Sequence, residues 1–449
     1  MTGGAAPERP PLWLVAAAAA VRVPLLAVAL LHPERWLRGD CRNYLDLAWS
    51  LRSAHAFALG SPLSPQTYRT PGYPLLLSLL TFFPGSAARW AAVFQSAMGV
   101  GAAILLWRWL RRLTDERSAT LGALVLALDP VLLFHTPLLL TETLFLGLIL
   151  LAALATAESW EDARRGLAAR AGLLWAAAAF VRPVSLYWPA ALAWGYRKRP
   201  RALAAFLAAA FVAPAAWALR NHAQTGHLVF SSIADDNLLR YPAASVEAMA
   251  TGQSWSSWDE RLRAEVERSH PDGFATEAAR AAAYGARARP ILSAHPFLLA
   301  RHCVVGAVKT LAGTGLEMLV EWTSGETQPG ADAEYKTGVS GGGTLALLKR
   351  HPALIPLQLA YMAALAGLYL AAGLGVGRLL KEEKGERLLL LAGSAGYFLL
   401  MASSQGYYRY RIPMLPFLAA LAAFGIQSGK KPALKRPAPP DSYDSYKRR

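Results

Sequence analysis

Cysteine is nearly absent from this chain of 449 residues, which contains only Cys41 and Cys303. Two cysteines exclude a disulfide framework and a cysteine-rich metal centre, and whether the two pair is left open. The sequence also lacks a P-loop, a glycine-rich dinucleotide fingerprint and a separate cytoplasmic catalytic domain. These absences argue against a membrane enzyme that uses a nucleotide.

Acidic residues are few. The chain has 30 Asp and Glu against 46 Lys and Arg, for a formal net charge of +16. Charged residues make up 17% of the chain and hydrophobic residues 54%, and the mean hydropathy is +0.26. That average is too apolar for a soluble protein of this size and too polar for a bare helix bundle. It indicates a membrane protein with one large polar insert.

Long hydrophobic runs are what the sequence has in abundance, and they predict an all-α, polytopic transmembrane bundle. A run of about 20 apolar residues is long enough to span a bilayer. The first run is longer than the core of a secretory signal, so we interpret it as an uncleaved helix. About ten spans are expected, at 12–31, 88–110, 118–134, 138–157, 168–181, 184–196, 202–219, 354–377, 388–404 and 411–427.

Basic clusters between these runs set the orientation. They fall on one side if the chain alternates, and the positive-inside rule places that side in the cytoplasm. Membrane topology therefore accounts for the basic charge, and nucleic acid is not an expected partner. The clusters are Arg108, Arg111, Arg112 and Arg117; Arg164, Arg165 and Arg170; Arg197, Lys198, Arg199 and Arg201; and Arg378, Lys381, Lys384 and Arg387.

The opposite side carries two long loops, at 32–87 and 220–350. The chain thus divides into a transmembrane module at 1–219, a loop region at 220–350, transmembrane helices at 351–427 and a basic cytoplasmic tail at 428–449 that we expect to be disordered. Within the second loop we expect polar helices at 257–268 and 274–289, an interfacial apolar segment at 296–312 and a flexible stretch at 324–343. The localisation expected is a multi-pass cell membrane protein.

Asp40 stands at the lip of the first span. Behind it, Tyr44, Leu47, Ala48 and Leu51 follow helical spacing, which predicts an amphipathic helix in the membrane interface. A carboxylate held there could act as a general base on an acceptor hydroxyl. It could equally cap the helix that starts near Cys41, and the two interpretations are compatible.

Arg69 precedes an unusual helix start in the segment RTPGYPLLL. Pro71 and Pro74 deny the chain a regular helix start, and Gly72 permits a backbone conformation that other residues avoid. At headgroup depth, the Arg69 guanidinium could bind a lipid phosphate. The alternative is an arginine that merely extends its charge to the interface.

Glu142, in LLLTETLFLG, is a second acid expected near the same surface. It could position an acceptor or hold a divalent metal, or it could simply suit the first turn of a helix. The metal is left open, because no ligand cluster decides it. His222 and His227 are five residues apart with no further ligands nearby, so a zinc site there is not expected.

Further arginines are predicted to reach the same outer side, against the usual inside bias. Charges at such places need partners, and anionic phosphate fits. Pairing with acids of the chain itself is the alternative. These residues are Arg182 before Pro183, Arg220 beside Asn221, and Arg409 and Arg411 in GYYRYRIPMLPF.

Several motifs in chain order resemble the multi-spanning GT-C glycosyltransferases that use lipid-linked sugars. The nearest groups are the dolichyl-phosphate-mannose protein mannosyltransferase-like family and the bacterial lipid A aminoarabinose transferases. The motifs are a span followed by Asp40, Tyr44, Leu47, Ala48, Ser50 and Leu51; R.PGYPLLL at 69–77 with Tyr73; TETLF at 141–145; FVRP at 180–183; PAAWALRNHAQTGH at 214–227; and YRYRIPMLPFLAAL at 408–421.

The resemblance implies a specific chemistry. Asp40 matches the catalytic base of the family and Glu142 its second-loop acid, while Arg69 matches the residue that contacts the carrier phosphate. The donor implied is a polyprenyl-phosphate sugar, transferred with inversion to a lipid, glycan or protein acceptor outside the cytoplasm. Tyr44, Tyr73, Asn221 and the other outer arginines are expected to bind substrate, and membrane lipids are further partners. No nucleotide sugar is needed, and a divalent metal is left open.

Two features of the sequence depart from the family resemblance, and two other classes of protein remain as alternatives. Cys41 follows Asp40 where protein mannosyltransferases carry an acidic pair, and no soluble domain follows the last spans as in oligosaccharyltransferases. A transporter is one rival, although it would place ionisable residues near the midplane and show matched halves. A non-catalytic lipid-binding member of the same fold is the other. Asp40, Arg69 and Glu142 together argue against it.

Overall fold

The computed structural model describes residues 9–33, 40–60, 63–162, 164–324 and 347–427. Within these ranges the chain is almost entirely helical. The strands described are β1, Ala58–Leu59, and β2, Ser64–Pro65, which form a small antiparallel hairpin with Ala58 opposite Pro65. The all-α prediction is therefore confirmed. The predicted flexible stretch after residue 324 and the tail at 428–449 lie outside the described residues.

The first half of the chain supplies eleven α-helices among the described residues. Proline stands in the first turn of several of them, where its missing N–H costs nothing. Asp115 and Asp129 each cap the helix that follows them by accepting a backbone N–H. The helices are α1 Leu12–Ala20, α2 Val23–Leu31, α3 Asp40–Ser53, α4 Gly72–Leu80, α5 Ala87–Arg111, α6 Glu116–Leu128, α7 Pro130–His135, α8 Glu142–Glu161, α9 Arg165–Val181, α10 Trp188–Leu192 and α11 Pro200–Thr225.

The second half adds a group of shorter polar helices and then returns to apolar ones. Ser254 and Thr276 cap two of the polar helices. The helices are α12 Ile233–Leu238, α13 Ala244–Thr251, α14 Trp255–Arg268, α15 Glu277–Ala294, α16 Pro296–Ala312, α17 Leu316–Ser324, α18 Ile355–Lys381, α19 Gly385–Leu388, α20 Ser394–Ser403 and α21 Leu415–Ile426. 3₁₀ turns lie at Pro183–Ser185, Ala193–Tyr196, Pro352–Leu354 and Tyr408–Met414, and π turns at Leu239–Ala243 and Leu389–Gly393.

Six helical segments are long and apolar enough to cross a membrane, so the chain has the make-up of a multi-pass membrane protein. They are Leu12–Leu31, Ala87–Arg111, Glu142–Glu161, Pro200–Thr225, Pro352–Lys381 and Gly385–Ser403. These match six of the ten predicted runs. The other four are also helical. Three of them break into shorter helices, and the run at 168–181 lies in α9, a single helix of 17 residues. α15 and α16 qualify only as a pair bent by 103°, so the interfacial placement of 296–312 stays a prediction.

One large hydrophobic core joins the spanning helices. α8 and α9, α9 and α11, and α18 and α21 are neighbours in it. α18 and α21 approach closely because Gly375 and Gly425 have no side chain. A Cβ at either position would collide with a carbonyl oxygen of the facing helix. Apolar side chains such as Val212 and Leu370 stay exposed on the outside of the bundle, as expected for a surface that meets lipid.

Two smaller cores flank the main one. α13, α14 and α15 with the π turn at Leu239–Ala243 bury their own cluster around Leu262 and Tyr284. α3 and α4 pack on the start of α5 through Tyr44, Ala48 and Tyr73. The predicted polar helices at 257–268 and 274–289 are thus present as α14 and α15. The division of the chain into four segments and the membrane side of each loop stay predictions.

Candidate active site

Asp40 is the first residue of α3, and α3 is the amphipathic helix that the spacing predicted. Tyr44, Leu47 and Ala48 are buried on one face, against α4. The protein itself therefore covers much of the apolar stripe. Asp40 lies where that face meets solvent, with 37% of its side chain exposed.

Arg69 lies in the short loop between β2 and α4, and neighbouring segments fasten that loop. The backbone N–H of Tyr68 donates to Oε2 of Glu277 at 3.2 Å, and the N–H of Ser232 donates to the carbonyl of Thr67 at 2.9 Å. Because the two residues before Arg69 are tied to α15 and to the N-terminal end of α12, Arg69 has little freedom. Its Nη2 meets Oδ1 of Asp40 at 2.5 Å.

Gly72, the first residue of α4, allows α4 to lie close to the end of α9. Its φ angle is not in the left-handed region, so the unusual backbone that the sequence suggested is absent. A Cβ at Gly72 would lie 2.7 Å from the carbonyl oxygen of Phe180, near the end of α9. The glycine thus lets α4 approach α9 and brings Arg69 near Arg182.

Glu142 and Arg182 form the second carboxylate–guanidinium pair. Glu142 is the first residue of α8, and Arg182 directly follows α9. Arg182 Nη1 donates to Oε1 of Glu142 at 2.8 Å, and the Glu142 side chain is 2% exposed. Breaking such a buried pair leaves an uncompensated charge, so the two residues stabilise each other's position.

Arg409 joins the two pairs. It lies in the 3₁₀ turn Tyr408–Met414, and its side chain is 14% exposed. Nη2 lies 3.9 Å from Oδ2 of Asp40, and Nε lies 3.9 Å from Oε1 of Glu142. Two carboxylates and three guanidinium groups, from distant parts of the chain, therefore meet at one place.

These five charged side chains line a cavity of about 160 Å³. We call it the carboxylate–arginine cavity. Three arginines against two carboxylates leave a surplus of one positive charge. The other lining residues are Tyr44, Tyr68, Thr70, Leu140, Thr141, Val181, Pro183, Val184, Ile233, Asn237, Phe398, Met401, Ala402, Gln405, Tyr410 and Pro413.

Two buried polar atoms of the cavity lining have no hydrogen-bond partner in the described part of the chain. Oε2 of the buried Glu142 has no hydrogen-bond partner there, and neither has Oε1 of Gln405. A buried polar atom without a partner costs free energy unless water or a ligand satisfies it. The cavity is thus suited to a ligand with hydrogen-bond donors as well as an anionic group.

Aromatic rings hold the guanidinium groups in place. Arg69 lies over the rings of Tyr44 and Tyr68 at 5.0 and 4.8 Å, and Arg182 and Arg409 lie over Tyr410 at 5.5 and 5.1 Å. Burial raises the pKa of the Tyr68 phenol, which stays protonated. Burial opposes the charge of Arg69, but Tyr44 and Asp40 outweigh it and raise the pKa of Arg69.

Of the predicted site residues, the structure brings Asp40, Tyr44, Arg69, Glu142, Arg182 and Arg409 together and places four others outside the cavity lining. Tyr73 is fully buried, and its hydroxyl donates to Oε1 of Gln95. Asn221 donates to the carbonyl of Val229. Arg220 reaches the carbonyls of Gln66 and Phe57, so it supports the hairpin before Arg69.

Arg411 also lies outside the cavity lining, although it was predicted to reach the same side as the other arginines. It is fully buried, and it donates to the carbonyls of Leu311 and Gly313 and to the hydroxyl of Tyr361. Nη2 lies 4.0 Å from Oδ2 of Asp129. Asp129 both caps α7 and accepts from Tyr361.

Sequence reasoning missed several residues of the cavity. Tyr68 and Tyr410 adjoin Arg69 and Arg409, and alternation of arginine with tyrosine in YYRYR was an available signal. Asn237 follows two acids in a polar helix, and Gln405 lies between a predicted span and the YRYR motif. No pattern in the sequence distinguishes those two amides from ordinary surface residues.

No group of three or more His, Cys, Asp or Glu side chains that could hold a metal ion is found among the described residues. His222 faces the carbonyl of Gly226 through Nδ1. Cys41 and Cys303 both lie in described parts of the chain, and no disulfide joins them.

No protein-family model matches the chain, and no curated protein matches it. The crystal structure of the Archaeoglobus fulgidus oligosaccharyltransferase in the apo form aligns at 12% identity and a TM-score of 0.48, covering 92% of this chain and 50% of that one. The archaeal oligosaccharyltransferase AglB from A. fulgidus, in complex with an inhibitory peptide and a dolichol-phosphate, aligns at 14% and 0.43, covering 91% and 50%. The chain spans about half their length.

Proposed function

We propose that the chain is an integral membrane glycosyltransferase that moves a hexose or pentose from a polyprenyl-phosphate carrier to an acceptor outside the cytoplasm. The observation that carries the proposal is the carboxylate–arginine cavity at the ends of spanning helices. Asp40 is the base, and the acceptor is a lipid, a glycan or a protein. Both alignments to solved structures have TM-scores below 0.5 and carry no part of the argument. The proposal therefore rests on the side chains of this chain.

The charge of the cavity fits a phosphodiester donor. Arg69, Arg182 and Arg409 exceed the two carboxylates by one positive charge. A polyprenyl-phosphate sugar carries one negative charge on its phosphodiester, so donor binding neutralises the site. Guanidinium groups bind phosphate oxygens in bidentate geometry. Because rings on two sides fix these guanidinium groups, little reorganisation is needed when charge develops on the leaving phosphate.

The transfer we propose is a single displacement. The acceptor oxygen attacks the anomeric carbon, its proton passes to Asp40, and the bond from that carbon to the phosphate oxygen breaks. The electron pair stays on the phosphate, which becomes a dianionic monoester. A phosphate monoester has a second pKa near 6, so it leaves without a proton from a general acid. One displacement inverts the anomeric configuration.

The two carboxylates differ in access, and this assigns their roles. Asp40 is 37% exposed and can meet an acceptor from the aqueous side, whereas Glu142 is 2% exposed. A base must come within hydrogen-bond reach of the proton that it accepts. We therefore assign the base to Asp40. Glu142 holds Arg182 and Arg409 at the phosphate, and its unpaired oxygen is available to a sugar hydroxyl.

A transporter fits this arrangement less well. Asp40 and Glu142 are each the first residue of a helix, so the charges of the cavity gather at helix ends. Transporters place such groups near the bilayer midplane on broken helices. A non-catalytic lipid-binding protein would keep the arginines but has no use for an accessible carboxylate beside them.

The first experiment is transfer from a panel of radiolabelled polyprenyl-phosphate sugars in membranes that contain wild type, Asp40→Asn or Asp46→Asn. Asp46 is exposed on the same helix and serves as the matched control. We expect transfer by wild type and Asp46→Asn and its loss in Asp40→Asn at equal protein level. Equal transfer by all three proteins would exclude Asp40 as the base.

A further inference from the structure

A second cavity, of about 730 Å³, lies at the other end of the spanning helices. Glu142 begins α8 and lines the carboxylate–arginine cavity, whereas Glu158 and Glu161 end α8 and line the second one. A helix of 20 residues is about 30 Å long, which equals the usual thickness of the hydrocarbon core. If one cavity is at one membrane interface, the other is therefore at the opposite interface.

Indole rings and aliphatic side chains make up the inner wall of the second cavity. Trp109 and Trp160 are almost fully buried, while Trp194 is 48% exposed. Tryptophan is enriched at headgroup level in membrane proteins, because the ring is apolar and its N–H is polar. The wall thus offers apolar surface.

The rim carries positive and negative side chains in equal number. Arg197 lies 3.7 Å from Glu386, and Arg387 lies 3.9 Å from Glu161. Neither pair is at hydrogen-bond distance, so all four groups can accept further partners. Arg112, Glu383 and Lys384 make no ion pair with any described residue. The charged lining residues are Arg112, Glu158, Glu161, Arg197, Glu383, Lys384, Glu386 and Arg387.

We propose that the second cavity binds one zwitterionic phospholipid with a primary ammonium headgroup. Its phosphate meets the arginines, its ammonium donates to the glutamates, and its glycerol and upper acyl chains lie on the tryptophan wall. An anionic lipid would satisfy the cations but place its charge beside the carboxylates of Glu161, Glu383 and Glu386. The fourth, Glu158, is already hydrogen-bonded to Arg170. A quaternary ammonium has no N–H to donate to them. The site does not depend on the proposed glycosyl transfer.

The basic tail at 428–449 is the competing occupant. It follows Gln427, whose carbonyl accepts from Arg378 near the end of α18, so it begins at the same end of the bundle as the cavity. The tail carries seven basic and two acidic side chains. That composition matches only the carboxylate half of the rim, whereas a zwitterion matches both halves.

The test is native mass spectrometry of the purified full-length chain, titrated with phosphatidylethanolamine, phosphatidylcholine or phosphatidylglycerol. We expect one phosphatidylethanolamine to be retained, with an affinity about tenfold higher than either of the other two lipids. Equal retention of the three lipids, or stronger retention of phosphatidylglycerol, would overturn the proposal. This comparison needs no variant, so misfolding cannot obscure it.

Variants then locate the bound lipid. Arg112→Gln with Glu161→Gln removes one charge of each sign from the rim, and Glu116→Gln with Arg117→Gln removes the same charges from exposed positions outside the cavity. We expect weaker phosphatidylethanolamine retention only in the first double variant. Unchanged retention there contradicts the location. If a chain ending at Gln427 retains the lipid but the full chain does not, the tail is the occupant and the proposal is wrong.

Discussion

Arg409 and Arg411 are two residues apart in one 3₁₀ turn, yet their side chains contact different regions of the molecule. Arg409 lines a cavity, lies 3.9 Å from each of two carboxylates and is 14% exposed. Arg411 is fully buried among carbonyls, Tyr361 and Asp129. Both are arginines near acids, but the first lines a cavity beside the partly exposed Asp40, whereas the second is 0% exposed.

The difference separates binding from scaffolding. Around Arg411 the partners are backbone carbonyls and groups that also bond each other, so the protein itself satisfies most of the charge. Around Arg409 an oxygen of Glu142 lacks a hydrogen-bond partner among the described residues, and Asp40 is open to solvent. A buried arginine near an acid is therefore not in itself a sign of function. What distinguishes the region of Arg409 is a cavity with a partly exposed carboxylate beside the arginine.

Asp40→Asn is the most severe test of the region around Arg409. We expect the transfer rate to fall by roughly 10²–10⁴-fold, the usual contribution of a general base. The melting temperature should fall only modestly, because Asp40 is partly exposed and the asparagine keeps an oxygen that can accept from the buried Arg69. Transfer assays and thermal unfolding in detergent measure the two effects. Loss of folded protein would instead make Asp40 structural and remove the distinction between the regions.

Arg411→Met tests the buried region around Arg411. Removing this guanidinium leaves the carbonyls of Thr310, Leu311 and Gly313 short of a donor and Asp129 short of a cation. Breaking a buried pair costs about 3–5 kcal/mol. We expect a large drop in melting temperature, with specific activity retained by the protein that stays folded. A stable Arg411→Met with impaired transfer would show that Arg411 belongs to the site after all.

Arg409→Gln sharpens the comparison from the other side. Hydrogen bonds to charged groups contribute about 1.5–3 kcal/mol, which corresponds to roughly a tenfold to hundredfold fall in kcat/KM. Inhibition by free polyprenyl phosphate should weaken in parallel, because the same guanidinium binds it. Arg409→Lys is the conservative variant, and it should restore part of the loss. If phosphate inhibition stays unchanged, Arg409 does not bind the carrier.

Glu277→Ala gives the smallest expected effect. Glu277 accepts the backbone N–H of Tyr68, the residue before Arg69. Losing one such bond costs about 1 kcal/mol and loosens the loop, so transfer should fall a few-fold with little change in stability. Glu260→Ala, at an exposed position of α14, is the control. Identical kinetics of the two variants would show that the outer helices do not position Arg69.

Much of the fold was predictable, and so were the five charged residues of the candidate site. Hydrophobic runs predicted the helices because a membrane requires long apolar segments with internally paired backbone. Asp40, Arg69, Glu142, Arg182 and Arg409 were predictable because each is a charge at the edge of an apolar run. Gln405 and Asn237 were not, since an amide carries no charge and follows no hydrophobic period.

The sequence by itself determined which charges stand at the ends of apolar helices. Only the tertiary structure decided which of them share a cavity. Arg409 and Arg411 show the reason. A 3₁₀ turn has three residues per turn, so positions two apart lie about 240° around the axis and face different neighbours. Those neighbours come from α3 and α8 for one arginine and from α7, α16 and α18 for the other, and their placement depends on the packing of the whole bundle.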